Sequence, residues 1–149
     1  MGTILVQEWM RTDVITINPE LRIERAWELM ARQRIRHLPV AKNGLLVGII
    51  TERDLKRTIL SPLPTPPVRQ EGKPQPSDTP GDLPVEAIMT KAVYTVKPTD
   101  PLLIAVLRMV DEKIGALPVV DEAGKLLGIL TETDLLKVLV FLLRKTSFP

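Results

Sequence analysis

Gly48-Ile49-Ile50-Thr51-Glu52-Arg53-Asp54-Leu55 returns 80 residues later as Gly128-Ile129-Leu130-Thr131-Glu132-Thr133-Asp134-Leu135. In both, an apolar run that suits a buried strand meets a threonine, and an acid follows three residues on. Working outward, the likeness continues at an offset of 79. Met10 falls on Met89, Val14 on Val93, Thr16 on Thr95 and Pro19 on Pro98. Ala26, Met30 and Ile35 fall on Ala105, Met109 and Ile114, and Leu38-Pro39-Val40 falls on Leu117-Pro118-Val119. The chain contains one unit twice. Two copies of a unit bury a shared core and build ligand sites where they meet.

Each copy reads as strand, helix, strand, strand, helix. In the first, Val14-Ile15-Thr16-Ile17 is β-rich and Asn18-Pro19 closes it. Ile23, Ala26, Trp27 and Met30 recur at helical spacing and form one apolar face. His37 to Ala41 is extended, with Pro39 suited to a strand edge. Lys42-Asn43-Gly44 is a turn, Leu45 to Ile50 a buried strand, and Thr51 opens a helix to about Leu60. In the second copy, Asp100-Pro101 reads as a helix cap followed by proline in the first turn. Gly115 stands where that helix should end, and Asp121 to Lys125 is the hairpin turn. The predicted class is α+β, layered as in α/β proteins.

Residues 61–84 hold eight of the fourteen prolines and read as a linker. The division is then 1–60, the Pro-rich linker 61–84, and 85–149. The last helix is apolar on most sides, since only Lys137 is polar across 135–143. That run is too short for a bilayer, which needs about 20 residues. It predicts a homodimer interface through the helices, including 132–144.

The composition narrows the function. A net charge of +2 with 3% aromatic residues lacks the basic, stacking surface of a nucleic-acid binder. The absence of cysteine fits a reducing, cytoplasmic setting, and the first residues hold no secretory signal. One histidine and no cysteine leave no metal cluster and no Cys–His nucleophile, and no phosphate-binding glycine motif is present. No catalytic residue is assigned, and an enzyme is not expected.

Two readings of the repeated Thr and Asp stand side by side. They can cap helices, with Thr accepting from the third helical N–H and the acid reaching back. They can also bind a nucleotide, because a helix start attracts phosphate and a carboxylate accepts ribose hydroxyls.

Thr16-Ile17-Asn18-Pro19, His37-Leu38-Pro39-Val40 and Gly48 to Asp54 together resemble a CBS motif, named after cystathionine β-synthase. Thr95-Val96-Lys97-Pro98, Ala116-Leu117-Pro118-Val119 and Gly128 to Asp134 resemble a second. The resemblance implies two β-α-β-β-α motifs packed through their sheets with pseudo-two-fold symmetry. It also implies two clefts for adenosine nucleotides (AMP, ADP, ATP or S-adenosyl compounds), no required cofactor, and a disc-like dimer. By the same resemblance, Asp54 and Asp134 hold ribose, and Thr51 and Thr131 touch ribose or phosphate. The cleft at Thr51 and Asp54 is then completed by Thr95, Val96 and Pro98, with the backbone near Ala116 and Leu117. The cleft at Thr131 and Asp134 is completed by Thr16, Ile17 and Pro19, with the backbone from Arg36 through His37 to Leu38. Arg36, His37 and Arg53 have Gly115, Ala116 and Thr133 as counterparts, so unequal sites are expected, the more anionic ligand drawn to the arginines and the histidine. The functional expectation is a regulatory sensor acting on a partner such as an enzyme or transporter. The alternative is a ligand-free interaction scaffold in which Thr and Asp only cap helices.

Overall fold

The computed structural model describes residues 2–60 and 80–147. Each repeat supplies a helix, a β-hairpin and a second helix. The first has α1 (Ile23–Gln33), β1 (His37–Lys42), β2 (Leu45–Thr51) and α2 (Glu52–Ile59). The second has α3 (Leu102–Glu112), β3 (Ala116–Val120), β4 (Leu126–Thr131) and α4 (Glu132–Ser147). The class is α+β with two small antiparallel sheets, β1–β2 and β3–β4.

Local chemistry explains the hairpins. Asn43 and Gly44 both take positive φ, 53° and 79°, as a two-residue hairpin turn requires. In the second hairpin the Asp121 carboxylate accepts from the Ala123 and Lys125 N–H groups at 2.9 Å, and Gly124 takes φ 84°. Both hairpins carry a register shift at the same place, between Val40 and Ala41 and between Val119 and Val120.

The first strand expected in each repeat is shortened to one parallel bridge, Ile17 to Val40 and Val96 to Val119. Ile17 donates to the Pro39 carbonyl and accepts from Ala41 N–H. The chain then turns, as Leu21 N–H donates to the Asn18 carbonyl. Two helix-end expectations are also corrected. Asp100 accepts from Lys97 N–H at 2.8 Å instead of capping α3, whose cap position is Pro101. The left-handed residue that ends α3 is Lys113, φ 53°, and not Gly115; Arg34 does the same for α1.

The chain packs as two units, Ile15–Val93 and Met1–Val14 with Tyr94–Pro149. The repeats are units of sequence, and the units of packing exchange their lead-in segments. Val6, in a 3-10 turn (Val6–Glu8), is fully buried with Val96, Leu102, Leu117, Leu130 and Val138. Val85, in a matching turn (Val85–Ala87), is fully buried with Ile17, Ile23, Leu38, Ile50 and Leu55.

Each lead-in then pairs with the free edge of a hairpin. Thr90 bridges Ile49 of β2, and Arg11 bridges Ile129 of β4, each through two backbone hydrogen bonds of 2.9–3.0 Å. The two bridges per hairpin cover both sheet edges, which would otherwise expose unpaired backbone groups. Gly48 and Gly128 make these approaches possible. A Cβ at Gly48 would lie 2.5 Å from Met89 Sδ, and one at Gly128 would lie 2.6 Å from the Arg11 carbonyl oxygen. Of the Pro-rich stretch, residues 61–79 lie outside the described residues. Its end is tied into the first repeat: Ile23 N–H donates to the Leu83 carbonyl at 2.8 Å, and Arg22 bridges Pro84.

Candidate functional site

The two strand-to-helix junctions are built alike. Register places His37 opposite Thr51 and Leu38 opposite Ile50, and places Ala116 opposite Thr131 and Leu117 opposite Leu130. The helix starts are held to the residue just before the opposite strand. Glu52 N–H donates to the Arg36 carbonyl at 2.9 Å, and Glu132 N–H to the Gly115 carbonyl at 3.0 Å. The sheet therefore brings Arg36, His37 and Leu38 beside Thr51 in one unit, and Ala116 and Leu117 beside Thr131 in the other.

Of the remaining candidates, Ile17, Pro19 and Val96 are buried, Thr95 and Pro98 are half-buried, and Thr16, Arg36 and Arg53 are exposed. Leu38 and Leu117 are fully buried, so their side chains belong to the cores and only backbone remains to meet a ligand. Thr51 and Asp54 lie in one unit, and Thr95, Val96, Pro98, Ala116 and Leu117 in the other. Thr131 and Asp134 are likewise in a different unit from Thr16, Ile17 and Pro19.

At the first junction, Thr51 Oγ1 accepts from Asp54 N–H at 3.2 Å, and Asp54 Oδ2 accepts from Thr51 N–H at 3.0 Å. This is a reciprocal cap, and it uses one carboxylate oxygen. Asp54 Oδ1 has no partner among the described residues, and the side chain is only partly buried. The second junction differs. Asp134 Oδ2 accepts from Thr131 N–H and from Thr131 Oγ1, both at 2.9 Å. Its Oδ1 accepts from Arg11 Nε at 3.1 Å, with Lys137 Nζ at 3.7 Å. The Asp134 side chain is 3% exposed. Arg11 was not among the residues singled out by motif. The signal for it lies in the repeat itself, where Arg11 replaces Thr90 directly after the matched Met10 and Met89.

The flanking Lys97 has an acidic neighbour at the surface. Lys97, between Val96 and Pro98, donates to Glu122 at 2.6 Å, and this hydrogen bond raises its pKa. A hollow of about 280 Å³ is lined by Trp27, Met30, Ala31, Arg34, Ile35, Arg36 and Glu52. It borders Arg36 but not Thr51 or Asp54. Among the described residues, no group of three or more His, Asp or Glu side chains could hold a metal ion, and no helix is long and apolar enough to cross a membrane.

Known proteins resemble this chain in sequence and in fold. The chain is 36% identical over 138 residues to the uncharacterised protein MJ1225 of Methanocaldococcus jannaschii, covering 89% of this chain and 46% of that protein. It is 33% identical over 131 residues to a homoserine O-acetyltransferase of Methanococcoides burtonii, covering 87% of this chain and 23% of the enzyme. A CBS domain-containing protein of Dictyostelium discoideum is 33% identical over 138 residues, with 92% of each chain covered. The chain thus spans less than half the length of the first two relatives and nearly all of the third. Among solved structures, the CBS domain pair of protein MJ0100, in complex with 5′-methylthioadenosine and S-adenosyl-L-methionine, matches with TM-score 0.76 at 25% identity, covering 93% of this chain and 97% of that one. A Vibrio cholerae protein assigned by name to acetoin utilization (AcuB) matches with TM-score 0.79 at 28% identity, covering 99% and 98%. The sequence pattern of the CBS domain itself matches residues 6–61 and 85–141. With both repeats matched in sequence and in fold, the chain belongs to the CBS domain family.

Proposed function

We propose that the chain is a regulatory module that binds an adenosine nucleotide or S-adenosyl compound and passes the event to a partner by a shift in conformation. One observation carries this reading. The Asp54 carboxylate caps its helix with one oxygen and keeps the other open at the start of that helix. A ribose diol needs such an acceptor, and a phosphate is favoured by the same helix end. By the family resemblance, Thr51 and Arg53 then flank the sugar and phosphate, with Thr95, Val96, Pro98 and the backbone at Ala116 and Leu117 as the rest of that proposed cleft. The second proposed cleft takes Thr131 and Asp134 with Thr16, Ile17, Pro19 and the backbone from Arg36 through His37 to Leu38. The module acts by binding, and catalysis belongs to whatever it regulates.

The homodimer enters through α4. Leu136, Leu139, Val140, Phe141 and Leu143 are 41–61% exposed on this helix, an apolar surface that a second copy would cover. A scaffold without ligand is the competing reading, favoured at one place only: Asp134 is buried and bonded by its neighbours. Thermal melts with AMP, ADP, ATP and S-adenosylmethionine separate the two. A ligand at 100 times its Kd adds about 2.7 kcal/mol, a rise of roughly 5–10 °C at this size. No rise with any of the four sinks the sensor and leaves the scaffold.

A further inference from the structure

The two junctions differ in the Thr131 Oγ1 bond to Asp134 and in one charged side chain brought from outside the repeated motif. An ionised carboxylate offers about four acceptor positions. Asp134 has spent three, on Thr131 N–H, Thr131 Oγ1 and Arg11 Nε, with Lys137 Nζ nearby at 3.7 Å. Asp54 has spent one, on Thr51 N–H. A vicinal diol donates two hydrogen bonds, so Asp54 can accept both while Asp134 cannot unless a present partner leaves.

Arg11 is poised for this role by its backbone. Its N–H and carbonyl both bond to Ile129, at 2.9 Å each, in the strand that leads into the Asp134 helix. Gly128 leaves the space for that approach. The guanidinium reaches a carboxylate that is 3% exposed, while Arg11 itself stays 44% exposed. Thr90 holds the same backbone position against Ile49 in the other unit, is exposed, and carries no charge to offer Asp54.

We propose that Arg11 is a specificity-determining latch. It withholds the Asp134 carboxylate from a nucleoside diol, so the module has one strong diol site at Asp54 and one suppressed site at Asp134. This rests on the nucleotide reading above and adds to it a ranking of the two sites and the residue that sets it. Arg11 acts through Asp134 and needs no ligand contact of its own.

The probe is 5′-methylthioadenosine, whose neutral tail removes phosphate attraction to arginine from the comparison. Calorimetric titration of the full chain should give one strong equivalent, lost in Asp54→Ala and kept in Asp134→Ala. Arg11→Thr should add a second equivalent or tighten a weak one by about 10-fold or more, the effect of uncovering one charge-assisted acceptor. Arg11→Gln, which keeps a donor without the charge, should fall between. Thr90→Arg should transfer the latch and weaken the Asp54 site, and as an exposed position it guards against a folding defect in the Arg11 variants. Two equal equivalents in the wild type, or unchanged binding in both Arg11→Thr and Thr90→Arg, overturn the latch and leave the nucleotide reading intact. No binding of the probe to the wild type or to Arg11→Thr overturns the latch. If AMP and S-adenosylmethionine also leave the melting temperature unchanged, the nucleotide reading falls with it.

Discussion

Asp54 and Asp134 occupy one sequence pattern and do different work. Both cap a helix, and a cap of this kind contributes about 1 kcal/mol. Asp54→Ala should therefore lower stability by about that amount, read by chemical denaturation. Arg11→Ala removes the close cationic partner of a buried carboxylate. A hydrogen bond to a charged group is worth about 1.5–3 kcal/mol, so this variant should cost more than Asp54→Ala in the same assay. An equal or smaller cost would show that Thr131 and Lys137 alone satisfy Asp134. The Thr and Asp of each junction were legible in sequence because their spacing is that of a cap. Arg11 was not, because its partner lies 123 residues away and only the exchanged lead-in brings them together. A repeat alignment flags a difference at such a position, but it does not say which carboxylate the new charge will meet.

At the scale of elements, the helices and hairpins follow from apolar periodicity and turn chemistry, and the sequence reading of them stands with small shifts at the ends, except that Leu45 to Ile50 is not a buried strand: only Gly48 and Ile50 are buried there, and Leu45 is exposed. Ile23, Ala26 and Met30 form the buried face of α1 as their spacing predicts. The first strand of each repeat reads longer than it is. Its β-rich composition reflects burial of Ile17 and Val96, while only one residue in each pairs. The lead-ins carried no obvious periodicity, yet they hold the hairpin edges. Two substitutions test their weight. Val6→Ala and Val85→Ala each remove two buried methyl groups from a core and should cost about 2 kcal/mol apiece by transfer plus cavity terms. Gly128→Ala and Gly48→Ala should each cost about 1–3 kcal/mol through overpacking. The loss should be larger at Gly128, because the obstacle there is the Arg11 backbone and at Gly48 it is first the flexible Met89 side chain. Thermal denaturation of the two variants checks the order, and a greater loss at Gly48 would contradict it.

At the scale of the whole molecule, the duplication supplies two junctions with the same scaffold and unequal chemistry. The chain runs from one packed unit into the other and back, so each unit contains pieces of both halves of the sequence. A change at one junction is thus linked covalently to the other unit at residues 14–15 and again at 93–94. For α4, replacing Leu139 and Leu143 with glutamate places charge on an exposed apolar face. If that face pairs two copies, sedimentation should show monomers in place of dimers, with the melting temperature of the monomer little changed. A wild type that sediments as a monomer at all concentrations would remove the dimer from the account.

The central claim is that the open oxygen of Asp54 accepts a ribose diol. It is tested most directly by titrating the wild type and Asp54→Asn with the adenosine ligand that raises the melting temperature most. Asparagine keeps the shape and a capping oxygen but removes the negative charge. The account predicts an affinity at least about 10-fold lower in Asp54→Asn, the effect of roughly 1.4 kcal/mol from one charge-assisted hydrogen bond, with stability changed by less than about 1 kcal/mol. Equal affinity in the two proteins would contradict it.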